Sequence, residues 1–144
     1  MRLDVSPPSC MVRADPDRLA QVLANLLSNA IKFSPRDADI VITALTCESI
    51  GRVTVRDHGP GIPEEFKSRI FAKFAQAETG DARQRSGSGL GLNIVAKIIA
   101  QHAGTVGFED APDGGTVFYF EIPRWGHAAN EVVKTPRDTY ASVA

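Results

Sequence analysis

"DPDRLAQVLANLLSNAIKF", residues 15–33, is the stretch whose pattern most strongly predicts a structural element, a long amphipathic helix. Asp15 is a residue type that caps helices, and Pro16 suits the first helical position. Ser34 and Pro35 predict where the helix ends, because the residue before a proline avoids the helical conformation. Apolar side chains recur at helical spacing along one face: Leu19, Val22, Leu23, Leu26, Leu27 and Ala30.

The other face of this helix is polar in an unusual way. At about 100° per residue, five side chains fall within one arc: Arg18, Gln21, Asn25, Asn29 and Lys32. Asparagine is a poor helix former because it competes with the backbone for hydrogen bonds. One interpretation is a solvated face that tolerates both asparagines. The other is that their amide oxygens point at a cation or a phosphate, with Lys32 one turn away as a counter-charge.

Four β-rich runs predict two antiparallel hairpins. Residues 39–48 and 51–57 form the first, with a turn at 49–51, and residues 105–110 and 115–123 form the second. In the last run, three apolar side chains alternate onto one face: Phe118, Phe120 and Ile122.

The remaining segments complete the predicted order. Residues 1–15 read as two short extended pieces, and residues 64–74 as one or two short helices. A second long helix is predicted within 90–104, with Gly104 as its C-terminal stop. The polar, aperiodic segment 75–89 is long for a connection and suggests a functional lid. Because the strands come in hairpins, we expect an α+β fold, a mixed sheet covered on one face by helices.

The composition is that of an ordinary globular domain and excludes several classes of protein. The chain has 144 residues, 43% hydrophobic and 23% charged, and a formal net charge of −1, which argues against a polybasic nucleic-acid binder. Cys10 and Cys47 have neither CxxC spacing nor a histidine cluster, so no zinc site or disulfide framework is expected. No apolar run approaches the roughly 20 residues that span a bilayer. We therefore expect a cytoplasmic segment without nucleic-acid or membrane contact; any membrane anchor of a parent protein would lie outside it.

"DHGPGIP", residues 57–63, ends a β run in a carboxylate and then turns on Gly59 and Gly61. Aspartate before glycines is often only a turn former. The alternative is a buried Asp57 carboxylate that binds the exocyclic amine of a base. It would favour adenine, because guanine would oppose its carbonyl oxygen to the acid at a cost of at least about 1–3 kcal/mol.

"GSGLGLNIVAKIIA", residues 87–100, packs three glycines in front of a predicted helix. The stretch is not a Walker A loop, since GxxxxGK[ST] is absent from the chain, and it does not follow a strand as a dinucleotide fingerprint should. Backbone amides and a helix N-terminus that face an anion remain as the interpretation.

Together and in order, four stretches resemble the N, G1, F and G2 boxes of sensor histidine kinase catalytic domains, members of the gyrase, Hsp90, histidine kinase and MutL ATP-binding superfamily. They are "LANLLSNAIKFSP" (23–35), "DHGPGIP" (57–63), "IFAKFAQAE" (70–78) and "GSGLGLNIV" (87–95), and "GGTVFYFEIP" (114–123) resembles the strand that closes the domain. The resemblance covers roughly residues 1–123. It implies a two-layer α/β sandwich, the Bergerat or GHKL fold, that binds Mg-ATP between the long helices and a lid.

The resemblance also implies roles for individual residues. Asn29 would be the Mg²⁺ ligand, with Asn25 beside it and Lys32 near the phosphates, and these three would form the catalytic group. Asp57 would bind the adenine amino group, helped by Thr116. The other implied ATP-binding positions are Gly59, Gly61 and Ile62 in the turn, Phe71, Lys73, Phe74 and Gln76 at the start of the lid, and Gly87, Ser88, Gly89, Leu90, Gly91 and Leu92 around the phosphates.

Asn25 indicates which branch of the superfamily the chain resembles. Hydrolysing relatives such as gyrase carry a glutamate there as general base, and an amide cannot take that proton. The resemblance therefore implies a protein-histidine kinase catalytic domain, which holds ATP intact for a histidine on a separate dimerisation domain. A response regulator receiver domain would be an indirect partner. His58, His102 and His127 all lack the HExxxP-type context of the phosphorylated histidine, so each is expected to be structural or on the surface.

The expected organisation is an ATP-binding catalytic domain at 1–123, with a lid at about 72–90, followed by a linker or tail at 124–144. "KFAQAE", residues 73–78, resembles the hybrid subgroup of these kinases. Two other functions stay open. One is a non-catalytic module in which ATP regulates a partner contact; the other is a stand-alone ATPase, or a serine kinase of the anti-sigma type, from the same superfamily.

Overall fold

The structure is a computed structural model that describes the backbone of residues 2–5 together with residues 11–71 and 91–125. Its elements are β1 (Arg2–Val5), α1 (Pro16–Phe33), β2 (Val41–Thr46), β3 (Ile50–Arg56), α2 (Glu64–Lys67), α3 (Gly91–Gln101), β4 (Thr105–Asp110) and β5 (Thr116–Pro123). The strands form a five-stranded sheet in the order β1-β2-β3-β5-β4. β1 runs parallel to β2, and the other neighbours are antiparallel. The α+β architecture with a mixed sheet is as predicted.

α1 begins and ends where the sequence predicts. Oδ1 of Asp15 accepts hydrogen bonds from the backbone N–H groups of Asp17 (2.9 Å) and Arg18 (3.3 Å). Ser34 is the C-cap, and its N–H donates to the carbonyl oxygen of Ala30 at 3.0 Å. The predicted apolar face is the one that lies on the sheet, since Val22, Leu26 and Ala30 are buried in a core with the inward residues of β5.

The turn of the first hairpin lies earlier than predicted. The chain reverses at residues 47–49, where the Cys47 N–H donates to the Ile50 carbonyl oxygen at 2.9 Å. Ile50 and Gly51 already belong to β3, although the sequence assigned them to the turn. Ile50 is buried in the apolar interior, and that burial draws it into the strand.

α3 ends before Gly104 as predicted, but for a different reason. The residue in the left-handed conformation is Ala103, with φ of 56°. A Cβ on Gly104 would meet the carbonyl oxygen of Glu121 and would lie 2.9 Å from Cγ2 of Ile99. Glycine is required here because β5 passes directly against the end of α3.

The segments before α1 and after β3 contain short elements, as predicted. Of the two extended pieces expected in residues 1–15, one is β1, whereas Val12 forms only an isolated bridge with Arg124. Of the short helices expected in 64–74, the described part contains the single turn α2. Its Lys67 donates from Nζ to Asp110 Oδ2 at 2.7 Å, which ties α2 to the end of β4.

The two long helices pack antiparallel, and contacts fix both ends of the pair. The Asp15 N–H donates to Nε2 of His102 at 3.1 Å, and the His102 ring also bonds the Ile98 carbonyl oxygen at 2.7 Å. Nδ2 of Asn25 donates to the carbonyl oxygen of Gly91 at 3.4 Å, where α3 begins. α1 therefore continues about two turns beyond the position of Gly91. In the described residues, no helix has the length and apolar character needed to cross a membrane.

We expect Gly104→Ala to destabilise the fold, because the added methyl group would collide with the β5 backbone. Overpacking of this kind costs about 1–3 kcal/mol. The free energy of unfolding, measured in urea, tests this. The matched control is Gly91→Ala, where a Cβ would meet nothing within 4 Å. Equal stabilities of the two variants would contradict the assignment.

Candidate functional site

Asp57 stands where β3 leaves the sheet, and its carboxylate continues the ladder with β5. The Asp57 N–H donates to the Thr116 carbonyl oxygen at 2.9 Å, and the Thr116 N–H donates back to Oδ1 of Asp57 at 3.1 Å. Oδ1 also accepts from the Gly59 N–H at 2.9 Å. Because side chains alternate along strands, Asp57 shares the helix-covered face with Val55 and Phe118. The predicted pair Asp57 and Thr116 is therefore brought together.

The Asp57 side chain is buried, with 2% of its surface exposed. Burial raises the pKa of Asp57, and the hydrogen bonds from Gly59 and Thr116, with the nearby His58, offset only part of that increase. Among the described residues, both hydrogen bonds to this carboxylate end on Oδ1, and Oδ2 receives none. Oδ2 is thus the atom available to a ligand.

The turn after Asp57 packs against the end of α1. An ideal Cβ on Gly59 would lie 2.8 Å from the carbonyl oxygen of Phe33, so only glycine permits this approach. Gly61 has a φ of 82°, which is left-handed. Both glycines predicted for the site are therefore required by the backbone. Ile62 is half-buried and packs on the core beside them.

The three predicted residues of α1 lie in its C-terminal half, and this helix ends against the turn at Phe33 and Ser34. Asn25 is half-buried, and its contact with Gly91 holds the start of α3. Asn29 is half-buried one turn further on, and its amide has no hydrogen bond to any described residue. Lys32 is exposed on the next turn, immediately before Phe33. α3 starts at Gly91 with its positive dipole end toward the same region.

Asn29 fits the chemistry of a magnesium ligand. Its amide oxygen is half-buried and uncommitted within the described part of the chain. The described residues hold no cluster of three or more histidine, cysteine or carboxylate side chains suited to a metal ion. Mg²⁺ bound to a nucleotide does not need such a cluster, because phosphates and water supply most of its ligands.

Apolar side chains line the flank of the site. Phe71 lies 6.2 Å from the ring of Phe108 and 6.4 Å from that of Phe118, measured between centroids. This anchors the residue predicted to begin the lid. Leu92 packs on the core from the first turn of α3. Nδ2 of Asn93 donates to the carbonyl oxygen of Phe71 at 3.3 Å, so it links α3 to Phe71.

The predicted lid and several predicted binding residues lie outside the described residues. They are Lys73, Phe74, Gln76, Gly87, Ser88, Gly89 and Leu90. Their roles, and the expected lid at about 72–90, stay predictions.

Two contacts of this region were not anticipated from the sequence. The His58 N–H donates to Oγ of Ser34 at 3.1 Å, and Nδ1 of His58 bonds the carbonyl oxygen of Asp39 at 2.7 Å. Ser34 was predicted only as the end of the helix, and His58 only as a structural or surface residue. The sequence shows a hydroxyl at the end of the predicted helix, Ser34, and an imidazole next to Asp57, His58. Neither position indicates which group the side chain contacts.

Comparisons with known proteins place this fold and site in a defined class. Residues 14–126 match the family described as histidine kinase-, DNA gyrase B- and HSP90-like ATPase. The sensor histidine kinase TmoS of Ectopseudomonas mendocina is 36% identical over 119 residues, which are 81% of this chain and 12% of TmoS. The adaptive-response sensory kinase SasA of Nostoc sp. is 40% identical over 114 residues, or 78% of this chain and 28% of SasA.

Solved structures show the same fold. The catalytic domain of histidine kinase ThkA matches with a TM-score of 0.73 and 38% identity, over 85% of this chain and 78% of that one. Full-length ShkA in complex with AMPPNP matches with a TM-score of 0.72 and 35% identity, over 88% of this chain and 26% of ShkA. ThkA in complex with the response regulator protein TrrA matches with a TM-score of 0.69 and 36% identity, over 85% of this chain and 33% of that one.

The fold and the site define an ATP-binding domain of the GHKL type. More narrowly, the chain belongs to the family of histidine kinase-like ATPase domains, and the relatives above are histidine kinases. The chain spans less than a third of the length of TmoS and SasA.

We expect the stability of the chain to increase, relative to Asp57→Asn, as the pH falls through the raised pKa of Asp57. The folded chain binds this proton more tightly than the unfolded chain. The stability from this group is therefore full below the unfolded pKa and is lost as the pH rises through the folded one. Urea unfolding of both proteins from about pH 4 to 8 measures the difference. A stability of the unaltered chain that decreases relative to that of Asp57→Asn as the pH falls would contradict this sign.

Proposed function

We propose that this chain binds Mg-ATP and presents the γ-phosphate for transfer to a histidine on a separate dimerisation domain in two-component signalling. The observation that carries the proposal is the Asp57 carboxylate. One of its oxygens is held by two backbone N–H groups, and the other has no partner among the described residues. An acceptor fixed in this way suits the amino group of adenine and disfavours guanine.

The two ends of the nucleotide would meet different elements of the chain. The base would lie at the turn 57–61, where Thr116 flanks the carboxylate. The phosphates would lie along the last turns of α1 and the start of α3. There, Asn29 would hold the Mg²⁺, and Lys32 would neutralise phosphate charge. The glycines at 87, 89 and 91 would wrap the phosphates. Bound Mg²⁺ would supply charge neutralisation for the transferred group.

The identity of residue 25 favours transfer over hydrolysis. The amide of Asn25 donates to the Gly91 carbonyl oxygen, and an amide has no basic site with which to activate water. The chain would therefore position ATP without consuming it until an acceptor arrives. Catalysis by its own residues would consist of orientation and electrostatic stabilisation.

The proposed partners follow from the same chemistry. The phosphoryl acceptor would be a histidine on a helical dimerisation domain, since neither described histidine is suited to the role. His58 and His102 both bond backbone carbonyl oxygens through their rings. A response regulator would act downstream, and the ThkA complex with TrrA supports this for a relative. The domain would work in the cytoplasm, with 1–123 as the catalytic unit and 124–144 as a linker or tail.

Labelled phosphoryl transfer tests the proposed function. The chain is incubated with Mg²⁺ and γ-labelled ATP, alone and with histidine-bearing dimerisation domains of sensor kinases. We expect acid-labile label on an acceptor domain and none on the chain itself. Firm Mg-ATP binding without transfer to any acceptor would favour a regulatory nucleotide-binding module. Steady phosphate release without an acceptor would favour a stand-alone ATPase.

We expect Asn29→Ala to abolish the magnesium dependence of ATP binding and to leave cooperative unfolding intact. The loss should be about tenfold or more in affinity, because an interaction with a charged group is worth about 1.5–3 kcal/mol. Calorimetric titration with AMPPNP, with and without Mg²⁺, measures it. Ser28→Ala, an exposed position on the same helix, is the control. Unchanged magnesium-dependent binding in Asn29→Ala would refute the metal assignment.

A further inference from the structure

Two side chains outside the predicted site, Ser34 and His58, fasten the turn that carries Asp57 to the end of α1 and to the segment that follows it. The backbone N–H of His58 donates to Oγ of Ser34 at 3.1 Å. The His58 ring lies with Nδ1 2.7 Å from the carbonyl oxygen of Asp39. Because a carbonyl oxygen can only accept, Nδ1 carries the proton and donates. Main chain and side chain of one residue are thus held by two different partners.

Both partners are themselves fixed by the fold. Ser34 caps α1, and its own N–H donates to the Ala30 carbonyl oxygen at 3.0 Å, so its hydroxyl moves with the helix. Asp39 precedes Ile40, which is buried with 6% of its surface exposed. Gly59 adds a third contact, because its missing side chain lets the turn lie against Phe33. The turn therefore cannot shift relative to α1 without breaking the bond to Ser34, or relative to the segment before β2 without breaking the bond to Asp39.

This attachment joins the two halves of the proposed nucleotide site. Asp57, which would bind the base, is the neighbour of His58 in sequence. Asn29, which would bind the metal, lies on α1 five residues before Ser34. We propose that Ser34 and His58 are positioning residues that set the spacing between Asp57 and Asn29, and so favour nucleotides long enough to reach both. The inference rests on the proposed function and names residues that the resemblance does not assign.

The physical basis is the gain from holding two weak binding points at a fixed spacing. A ligand that contacts only Asp57 or only Asn29 gains little from a fixed spacing between them. A ligand that contacts both is held near the second residue once it has bound the first, which raises its effective concentration there. Pre-organisation lowers the cost of ordering the site on binding. Loss of the attachment should therefore weaken Mg-AMPPNP, which would contact Asp57 and Asn29, much more than AMP without magnesium, which lacks the β- and γ-phosphates.

The test compares the affinities of His58→Ala and Ser34→Ala for these two nucleotides. Calorimetry measures Mg-AMPPNP, and titration followed by NMR chemical shifts measures the weaker AMP. We expect the affinity for Mg-AMPPNP to fall about tenfold in Ser34→Ala, which removes the bond between the turn and the end of α1, and less in His58→Ala, which keeps that bond and loses only the one to Asp39. The affinity for AMP should change less than about twofold in both variants. His58→Asn should restore most of the affinity, because its side-chain N–H occupies the place of Nδ1.

Two control variants separate this role from general stability. Ser28→Ala removes a hydroxyl from an exposed position of the same helix and should leave both affinities unchanged. His102→Ala removes a ring that bonds Asp15 and Ile98 at the opposite end of α1. It should lower the melting temperature without changing the ratio of the two affinities.

The outcomes distinguish this inference from the proposed function. Absence of Mg-AMPPNP binding by the unaltered chain would overturn the proposed function, and the inference with it. If the unaltered chain binds Mg-AMPPNP, two results would overturn the inference alone. One is an equal loss of affinity for both nucleotides in the variants, and the other is no loss of affinity in His58→Ala and none in Ser34→Ala. A His58→Asn variant as weak as His58→Ala would also overturn it.

Discussion

Oδ1 of Asp57 connects the end of β3 to the turn that follows it and to the start of β5. It accepts from Thr116 at the start of β5 and from Gly59 in the turn, while the Asp57 backbone closes β3 on β5. Inside a protein such a carboxylate must have partners, since an unpaired buried charge is costly. Two backbone donors meet that need at one oxygen only. The direction of the other oxygen follows from how the sheet ends, and under the proposed function it would set the position of a bound base.

The different lengths of α1 and α3 determine where the residues proposed to bind the metal and phosphates lie. α1 is paired with α3 from Asp15 to Asn25, and its last turns run on beyond Gly91. Asn29 and Lys32 stand on those turns, which end at Phe33 and Ser34 against the turn 57–61. The proposed site therefore lies where the ends of α1 and β3 meet, with the start of α3 held to α1 at Asn25.

Sequence reasoning succeeded where a local pattern has one physical solution. The cap at Asp15 and the proline at 16 are satisfied within the helix itself, and the apolar stripe of α1 needs only an apolar sheet face to cover it. It failed where a distant contact decides. Burial of Ile50 moves the hairpin turn, and although α3 ends before Gly104 as predicted, the need for glycine there comes from the approach of Glu121 on β5. The pairing of Asp57 with Thr116 was implied by the resemblance, whereas the partners of Ser34 and His58 could not be read from either segment, because nothing local specifies them.

Asp57 makes hydrogen bonds that hold the fold together, whereas Asn29 makes none to the described residues. This difference predicts how such a domain would change if selection for ligand binding were relaxed. Asp57 holds β5 to the turn, so a descendant that no longer binds a nucleotide would still be selected to keep it. Asn29 bonds no described residue, and asparagine is a poor helix former, so drift would replace it early. Among duplicated copies of this chain, the asparagine at 29 would therefore be the better record of retained ligand binding, although the aspartate at 57 would be the more widely shared.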